Sequence, residues 1–313
     1  MLKFTLRRLG TGALLLLTVC TFAYFMLYLG KDSIAYGILG ENAKPADITH
    51  FNQVHGLDKS FFESYANWLI NAIRGDFGQA WTFPDPPTVL IGQRLSVTLI
   101  IVVASLIIVA TVSLALGVLG AVRGGWADRL VQLLGLIGFA LPNFLIAFAL
   151  VIQFAVSVHW FNAVGWVPPQ MDFEQFLRSA TLPIAAISIS GLASLTQQIR
   201  GAVKDTLQHD YVRSLRTSGL SYRRVIFKHV LRNAAGPALS VLGLQFVGML
   251  GGIVIIEQIF AIPGLGSLSV SATSARDIPV VMAVVATMAI MVILVNFVID
   301  LLSAALNPKV RLS

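Results

Sequence analysis

The sequence predicts an all-α integral membrane protein with six transmembrane helices and a short extracellular subdomain after the first. Three observations carry that expectation. Apolar residues make up 56% of the chain and charged ones only 12%, about half the charged share of a soluble domain. The apolar residues gather into six uncharged runs, each close to the ~20 residues that cross ~30 Å of hydrocarbon. Lys and Arg concentrate on alternate connections between those runs, as cytoplasmic loops do. A large soluble α/β protein is excluded, because too few polar residues remain to cover its core. In lipid each run must be helical, since only a helix satisfies its own backbone polar groups.

The elements follow in order. Residues 1–8 carry Lys3, Arg7 and Arg8 and form a cytoplasmic N-terminus. The first span covers 9–29. Its apolar stretch exceeds that of a signal peptide and no small-x-small cleavage site follows, so it is read as uncleaved. Cys20 lies inside it and is the single cysteine, which excludes a disulfide within the chain and a cysteine metal site. Residues 30–94 are external. Within them Ser60 and Glu63 form a capping box that opens a helix over about 60–73. Phe61, Tyr65, Trp68, Leu69 and Ala72 recur there at helical spacing, so the helix lies on the membrane or packs on the spans. Arg74-Gly75-Asp76 ends it. His50 and His55 have no carboxylate or cysteine partner at a metal-ligand spacing.

The second span covers 95–120 and the third 130–158. Trp160 and Trp166, with Pro168 and Pro169, follow the third span as an interfacial belt. The fourth span covers 179–199, a cytoplasmic stretch 200–232, and the fifth span 233–256, where Gly248-x-x-x-Gly252 permits close helix contact. Residues 257–278 form an external segment in which Pro263, Gly264 and Gly266 forbid a continuous helix. With Phe260 they predict an apolar loop dipping back into the outer mouth. The sixth span covers 279–300 and a cytoplasmic tail 301–313. With the N-terminus inside, 15 of the 22 Lys and Arg fall inside and 7 outside, so both termini are cytoplasmic. The net charge of +7 is then a topology signal, and no nucleic-acid partner is needed to explain it.

Catalytic machinery is not found. There is no G-x-x-x-x-G-K-[ST] phosphate loop, no H-E-x-x-H and no G-x-S-x-G, and none of the five histidines lies mid-span. The chain is therefore read as having no catalytic residues, no metal and no cofactor of its own. Polar groups in the spans are few. Gln198, Gln245 and Glu257 are candidates for a substrate path, against the alternative of hydrogen bonds between helices. No ladder of Asp, Glu or His supports proton or sodium coupling.

The stretch 200–232 is different in kind. It holds eight of the 22 Lys and Arg: Arg200, Lys204, Arg213, Arg216, Arg223, Arg224, Lys228 and Arg232. Asp210 is placed to cap a two-turn helix over 211–218, Gly219 to stop it in the left-handed conformation, and Ser221 to cap a second helix. Tyr211, Val212, Leu215 and Leu220 interleave with the charges. A helix that short is marginal alone in water, so it is expected to dock on a partner.

At these residues the chain resembles a known family. Asp210-Tyr-Val-Arg-Ser-Leu-Arg-Thr-Ser-Gly219-Leu, followed by Arg232-Asn-Ala-Ala-Gly-Pro237, is similar to the cytoplasmic loop of ABC-importer permeases of the dipeptide and oligopeptide type. Gly75-Asp76-Phe77-Gly78, Leu141-Pro142, Glu257-x-x-Phe260-x-x-Pro263-Gly264-Leu265-Gly266, Arg276-Asp277-x-Pro279 and Asn307-Pro308-Lys309-Val310-Arg311 extend the likeness, in order, over nearly the whole chain. Arg213-Ser214-Leu215 stands where the loop's usual Glu-Ala-Ala would be, and Leu29-Gly30-Lys31-Asp32 where Pro-Gly-Asp-Pro is common.

The resemblance implies the type I ABC importer fold and the first of two paired permeases in a bacterial cytoplasmic membrane. It implies a second homologous permease, two ATP-binding subunits that hold the ATP and Mg, and an external substrate-binding protein or lipoprotein. It assigns ATPase coupling to Asp210, Tyr211, Val212, Arg213, Arg216, Thr217, Gly219 and Leu220. A self-sufficient channel or secondary carrier is the competing expectation, and a membrane scaffold the third. Neither needs the 210–219 helix.

Overall fold

The computed structural model describes residues 2–40 and 42–306, and among them no strand occurs. Asn307 to Arg311, which carry one of the resemblances, lie outside the described residues. Among the described residues, five helices are long and apolar enough to cross a membrane, and a bent helix pair makes six if it counts as one span. The chain divides into two compact units, Leu2–Thr98 with Pro263–Ile293, and Leu99–Ile262 with the chain from Leu294 onward.

The first unit begins with α1 (Leu2–Leu29), which starts well before the apolar run that predicts it. Hydropathy registers only the lipid-facing part of a helix, and the polar first turns are silent to it. The external segment holds three helices, α2 (Lys31–Leu39), α3 (Pro45–His55) and α4 (Phe61–Ile73). Only α4 has a strong amphipathic pattern, and only α4 is visible in the sequence. Its N-cap is Ser60, whose Oγ accepts from the Glu63 amide at 3.4 Å. One face of α4 stacks on α1: Phe61, Tyr65 and Trp68 meet Tyr24, Phe25 and Tyr28 with ring centroids 5.4–6.1 Å apart. The Tyr65 hydroxyl also bonds Thr21 at 2.7 Å.

Apolar clusters fill this unit. Cys20, Leu57, Ile278 and Met282 gather with Trp68 and Trp81. Leu90, Leu268, Val280 and Val284 gather with Phe83. Burial of such side chains stabilises by roughly 1.5–3 kcal/mol each in water-exposed regions. A single carboxylate organises the polar side. Asp277 is fully buried and accepts from the Trp81 and Thr82 amides (2.7 and 2.8 Å), the Thr82 hydroxyl (3.0 Å) and the Val280 amide (3.2 Å). His55 packs between Phe51 and Trp81, at 4.3 and 4.7 Å. Burial holds its imidazole below the ordinary histidine pKa, and the Asp277 charge opposes that shift.

The second unit is built on α8 (Phe173–Gln208) and α10 (Tyr222–Ile259), which pack along each other. α5 (Pro87–Arg123) contributes small polar residues: the Ser105 and Ser113 hydroxyls donate to the Ile184 and Leu192 carbonyls of α8 at 3.3 and 3.4 Å. Gly191 lies where three helices come close together. A Cβ there would stand 3.1 Å from both Val109 of α5 and Met249 of α10. Small residues allow this, as expected where lipid offers helices no hydrophobic drive to associate. Gly248 meets nothing within 4 Å, and Gly252 meets only Asn143, so that pair makes no continuous seam.

The third span departs from expectation. Residues 130–158 are not one helix: α6 (Gly125–Ala140) and α7 (Asn143–Ser157) meet at a 99° bend. Leu141 precedes a proline and is extended (φ −99°, ψ 120°), which the Pro142 ring enforces by excluding the helical region. The Pro142 carbonyl then accepts from the Leu145 and Ile146 amides and starts α7. A hydropathy window cannot see such a break, because Leu and Pro leave the run apolar.

The segment 257–278 differs as well. A turn through Phe260 and Ala261 (φ 49°) is followed by a ten-residue helix, α11 (Leu265–Ser274), and then by α12 (Ile278–Leu306). The irregular parts are the approach to α11 and the three residues after it, where Arg276 has φ 57°. Gly264 takes the N-cap position and Gly266 is helical, so one of the predicted breakers starts a helix and another sits inside it. The loop over 200–232 is mostly helix too. α8 runs on to Gln208, α9 (Asp210–Thr217) follows, and α10 begins at Tyr222.

Candidate functional site

The most specific local structure is α9. His209 breaks α8 with an extended backbone (φ −65°, ψ 141°), and its carbonyl accepts from the Val212 amide at 3.0 Å. The cap position is therefore His209 and not Asp210. Asp210 is the first helical residue and makes no side-chain cap bond; its negative charge sits at the positive end of the helix. Ser221 does stand at an N-cap position, but it also makes no side-chain cap bond. At the far end Gly219 has φ +84°, and its amide bonds the Arg216 carbonyl at 3.2 Å. That backbone is strained for any residue with a Cβ.

α9 is two-faced. Val212 is 2% exposed and anchors the inner side, with Leu215 and Leu220 half-buried. Asp210, Arg213, Arg216 and Thr217 are exposed. The Arg216 guanidinium lies 5.2 Å from the Tyr222 ring centre, bracing the turn that follows. The Tyr211 hydroxyl accepts from Asn233 Nδ2 of α10 at 2.7 Å, and its ring stacks on His209.

Between α6 and α8 lies an ion cluster the sequence reading treats only as topology. Asp128, in the first turn of α6, accepts from Arg200 Nε, from Arg200 Nη2 (2.9 Å), from Lys204 Nζ (2.7 Å) and from Gln132 Nε2 (3.1 Å). Arg200 and Lys204 are four residues apart on α8 and so project from one face. Asp128 is 9% exposed, and the group fixes α6 to α8 together with Gln197, which donates to the Val131 carbonyl at 3.0 Å. A signal was available: Asp128 is the only acidic residue between Asp85 and Asp172.

The three path candidates do not converge. Gln245 and Glu257 both lie on α10, twelve residues apart. That is about 18 Å along the axis and a third of a turn round it. Glu257 is fully buried and Gln245 half-buried. Gln198 lines an open polar pocket of about 300 Å³ with Asp205, Thr206 and Asn233. At the other end of α10, the Phe260 carbonyl accepts from the Gly165 amide at 2.8 Å. Phe260 and Gly264 are buried there and Pro263 is exposed.

Comparison with known proteins gives consistent results. A family model described as "Binding-protein-dependent transport system inner membrane component" matches residues 113–312, and the N-terminal model of the same kind of component matches residues 1–115. The oligopeptide transport system permease protein AppB of Bacillus subtilis is 31% identical, with 99% of each chain covered. The glutathione transport system permease protein GsiC of Shigella boydii is 32% identical, again with 99% of each covered. A probable peptide ABC transporter permease, y4tP of Sinorhizobium fredii, is 30% identical over 98% of this chain and 99% of its own. Among solved structures, a chain of the MetNI methionine ABC transporter in inward-facing conformations superposes with a TM-score of 0.58. It covers 72% of this chain and all of its own at 17% identity, which speaks to the fold.

Proposed function

The chain belongs to the family of binding-protein-dependent transport system inner membrane components, and from that premise we propose that it imports di- and oligopeptides as one of two permeases in an ATP-driven transporter. The names of the Bacillus and Sinorhizobium relatives support a peptide cargo. The energy source is external to the chain. Two ATP-binding subunits hold ATP and Mg, a second homologous permease completes the path, and an external binding protein or lipoprotein delivers the cargo. The chain crosses a bacterial cytoplasmic membrane several times with both termini inside.

The observation that carries this reading is α9. It is a two-turn helix with an apolar face seated in its own chain through Val212, a polar face turned outward through Arg213 and Thr217, and a left-handed stop at Gly219. A helix of eight residues gains little from its own hydrogen bonds, so its rigidity comes from what it packs on. Asp210, Tyr211, Val212, Arg213, Arg216, Thr217, Gly219 and Leu220 form the piece that docks on an ATPase. When ATP draws the two ATPases together, the docked helices move with them and the spans rock between inward- and outward-facing states. Phe260, Pro263 and Gly264 shape the external turn before α11, and Gly266 lies in its first turn.

Co-expression with the second permease and the ATP-binding subunits tests the reading. Affinity purification through this chain is expected to bring down ATPases in stoichiometric amount. Proteoliposomes of that complex are expected to take up dipeptide only with ATP inside and binding protein outside. Uptake by the chain alone, independent of ATP, would replace this proposal with a carrier.

A further inference from the structure

The pocket around Gln198 has a chemistry that composition hides. Gln198 and Asp205 are seven residues apart on α8 and share a face, with Thr206 beside Asp205 and with Asn233 and Pro237 across on α10. Arg200 and Lys204 are turned to Asp128 on another side of α8, so the cations next to Asp205 in sequence are occupied elsewhere. Asp205 makes no ion pair among the described residues.

The remaining wall is rich in acceptors. Asn233 spends its Nδ2 on the Tyr211 hydroxyl and the His229 carbonyl (2.7 and 3.2 Å), which leaves Oδ1 as what it offers to the pocket. Pro237 has no N–H, so the helix ladder supplies no donor to the Asn233 carbonyl four residues earlier. The Thr206 hydroxyl donates to the Ala202 carbonyl at 2.7 Å and keeps only acceptor capacity. One carboxylate among neutral acceptors, in about 300 Å³, suits a small ligand with several N–H donors and one positive charge.

We infer that this pocket binds the α-ammonium group of a peptide on its way through the permease, with Asp205 supplying the charge and Gln198 and Asn233 the neutral acceptors. The inference rests on the peptide reading above. Asn233 also makes the pocket responsive to α9. Its amide is held by Tyr211, a positioning residue, so displacement of α9 alters one wall of the pocket.

The test uses the assembled transporter in lipid nanodiscs, with second permease and ATP-binding subunits and without binding protein. Dialanine and N-acetyl-dialanine are the probes. Wild type is expected to bind dialanine about tenfold more tightly than its acetylated form, the worth of one charge-assisted contact. Asp205→Asn is expected to abolish that preference, and Asp205→Glu to retain it. A non-hydrolysable ATP analogue is expected to shift dialanine affinity in wild type but not in Tyr211→Phe. Equal affinity for the two probes in wild type, or an unchanged preference in Asp205→Asn, overturns the proposal. Should Asp205→Asn not assemble, photo-crosslinking of a diazirine dipeptide to wild type decides instead. Adducts within 201–206 or 233–237 support the site, and adducts elsewhere remove it. ATP-driven dialanine uptake by wild type, measured in parallel, separates the two claims. Uptake without the amine preference defeats only the pocket, and absence of uptake defeats the peptide reading and the pocket together.

Discussion

Asp128 is one residue that holds two others in place. Its carboxylate satisfies Arg200 and Lys204 at once, and with Gln132 it accepts from three side chains. Replacing it with asparagine removes the shared negative charge and one acceptor oxygen, and leaves two cations partly buried against α6. Breaking a buried pair from one side costs about 3–5 kcal/mol, and the partial exposure of Lys204 lowers that to about 2–4. Asp128→Asn is therefore expected to lower the thermal unfolding midpoint of the purified chain clearly. Exchanging Arg200 and Lys204 for methionine in the Asp128→Asn background is expected to recover part of the loss. Equal midpoints for Asp128→Asn and wild type would show that the cluster contributes nothing. At this scale the sequence was half legible. An isolated acid in a long apolar stretch is a visible signal, but which of 22 cations it meets depends on α6 reaching α8, which no local pattern encodes. Asp277 is the same case: its partners Trp81 and Thr82 lie almost 200 residues away in sequence.

For helices, what was legible followed the rule each signal obeys. Capping and stop signals act over three or four residues, so Ser60 and Gly219 were readable. Asp210 was displaced by one position because His209 adopts the extended conformation in its place. Hydropathy reports apolar content, so it located the spans but missed the polar continuation of α8 to Gln208 and the bend at Leu141-Pro142. α2 and α3 escaped because neither has a strong apolar face. Gly219 carries the prediction at this scale. A β-branched side chain at φ +84° costs on the order of 1–2 kcal/mol and pulls the end of α9 out of line. Gly219→Val is expected to insert normally yet abolish uptake by the assembled transporter. Gly219→Asn, which tolerates the left-handed region, is expected to keep a measurable part of it. Wild-type uptake by the valine variant at equal expression would defeat the coupling role.

The molecule as a whole was legible in its all-helical membrane class, because lipid permits so few backbone solutions, and the expected six spans are reached only if the bent pair counts as one. Its division into two compact units was not, since Pro263–Ile293 joins the first 98 residues only through tertiary contacts. Orientation is the property to test here. Cys20 is buried and is the only cysteine, so Cys20→Ala gives a thiol-free background. Asn67→Cys on α4 and Ser218→Cys after α9 both place a thiol at an exposed position. A membrane-impermeant maleimide is expected to label position 67 in intact cells and position 218 only after permeabilisation. The reverse pattern would invert the topology.

The length of α8 has a mechanical consequence. Its 36 residues span about 54 Å, against ~30 Å of hydrocarbon, so a good part of the helix stands clear of the bilayer as a stiff arm. Pro183 interrupts its hydrogen-bond ladder near one end, and the 25 residues from there to Gln208 extend about 37 Å toward α9. Swinging that arm by only about 3° about Pro183 carries its tip about 2 Å, by simple trigonometry on the helix rise. A modest ATPase movement at one end therefore corresponds to a tilt of a few degrees within the membrane, small enough for packed helices to absorb by sliding rather than repacking.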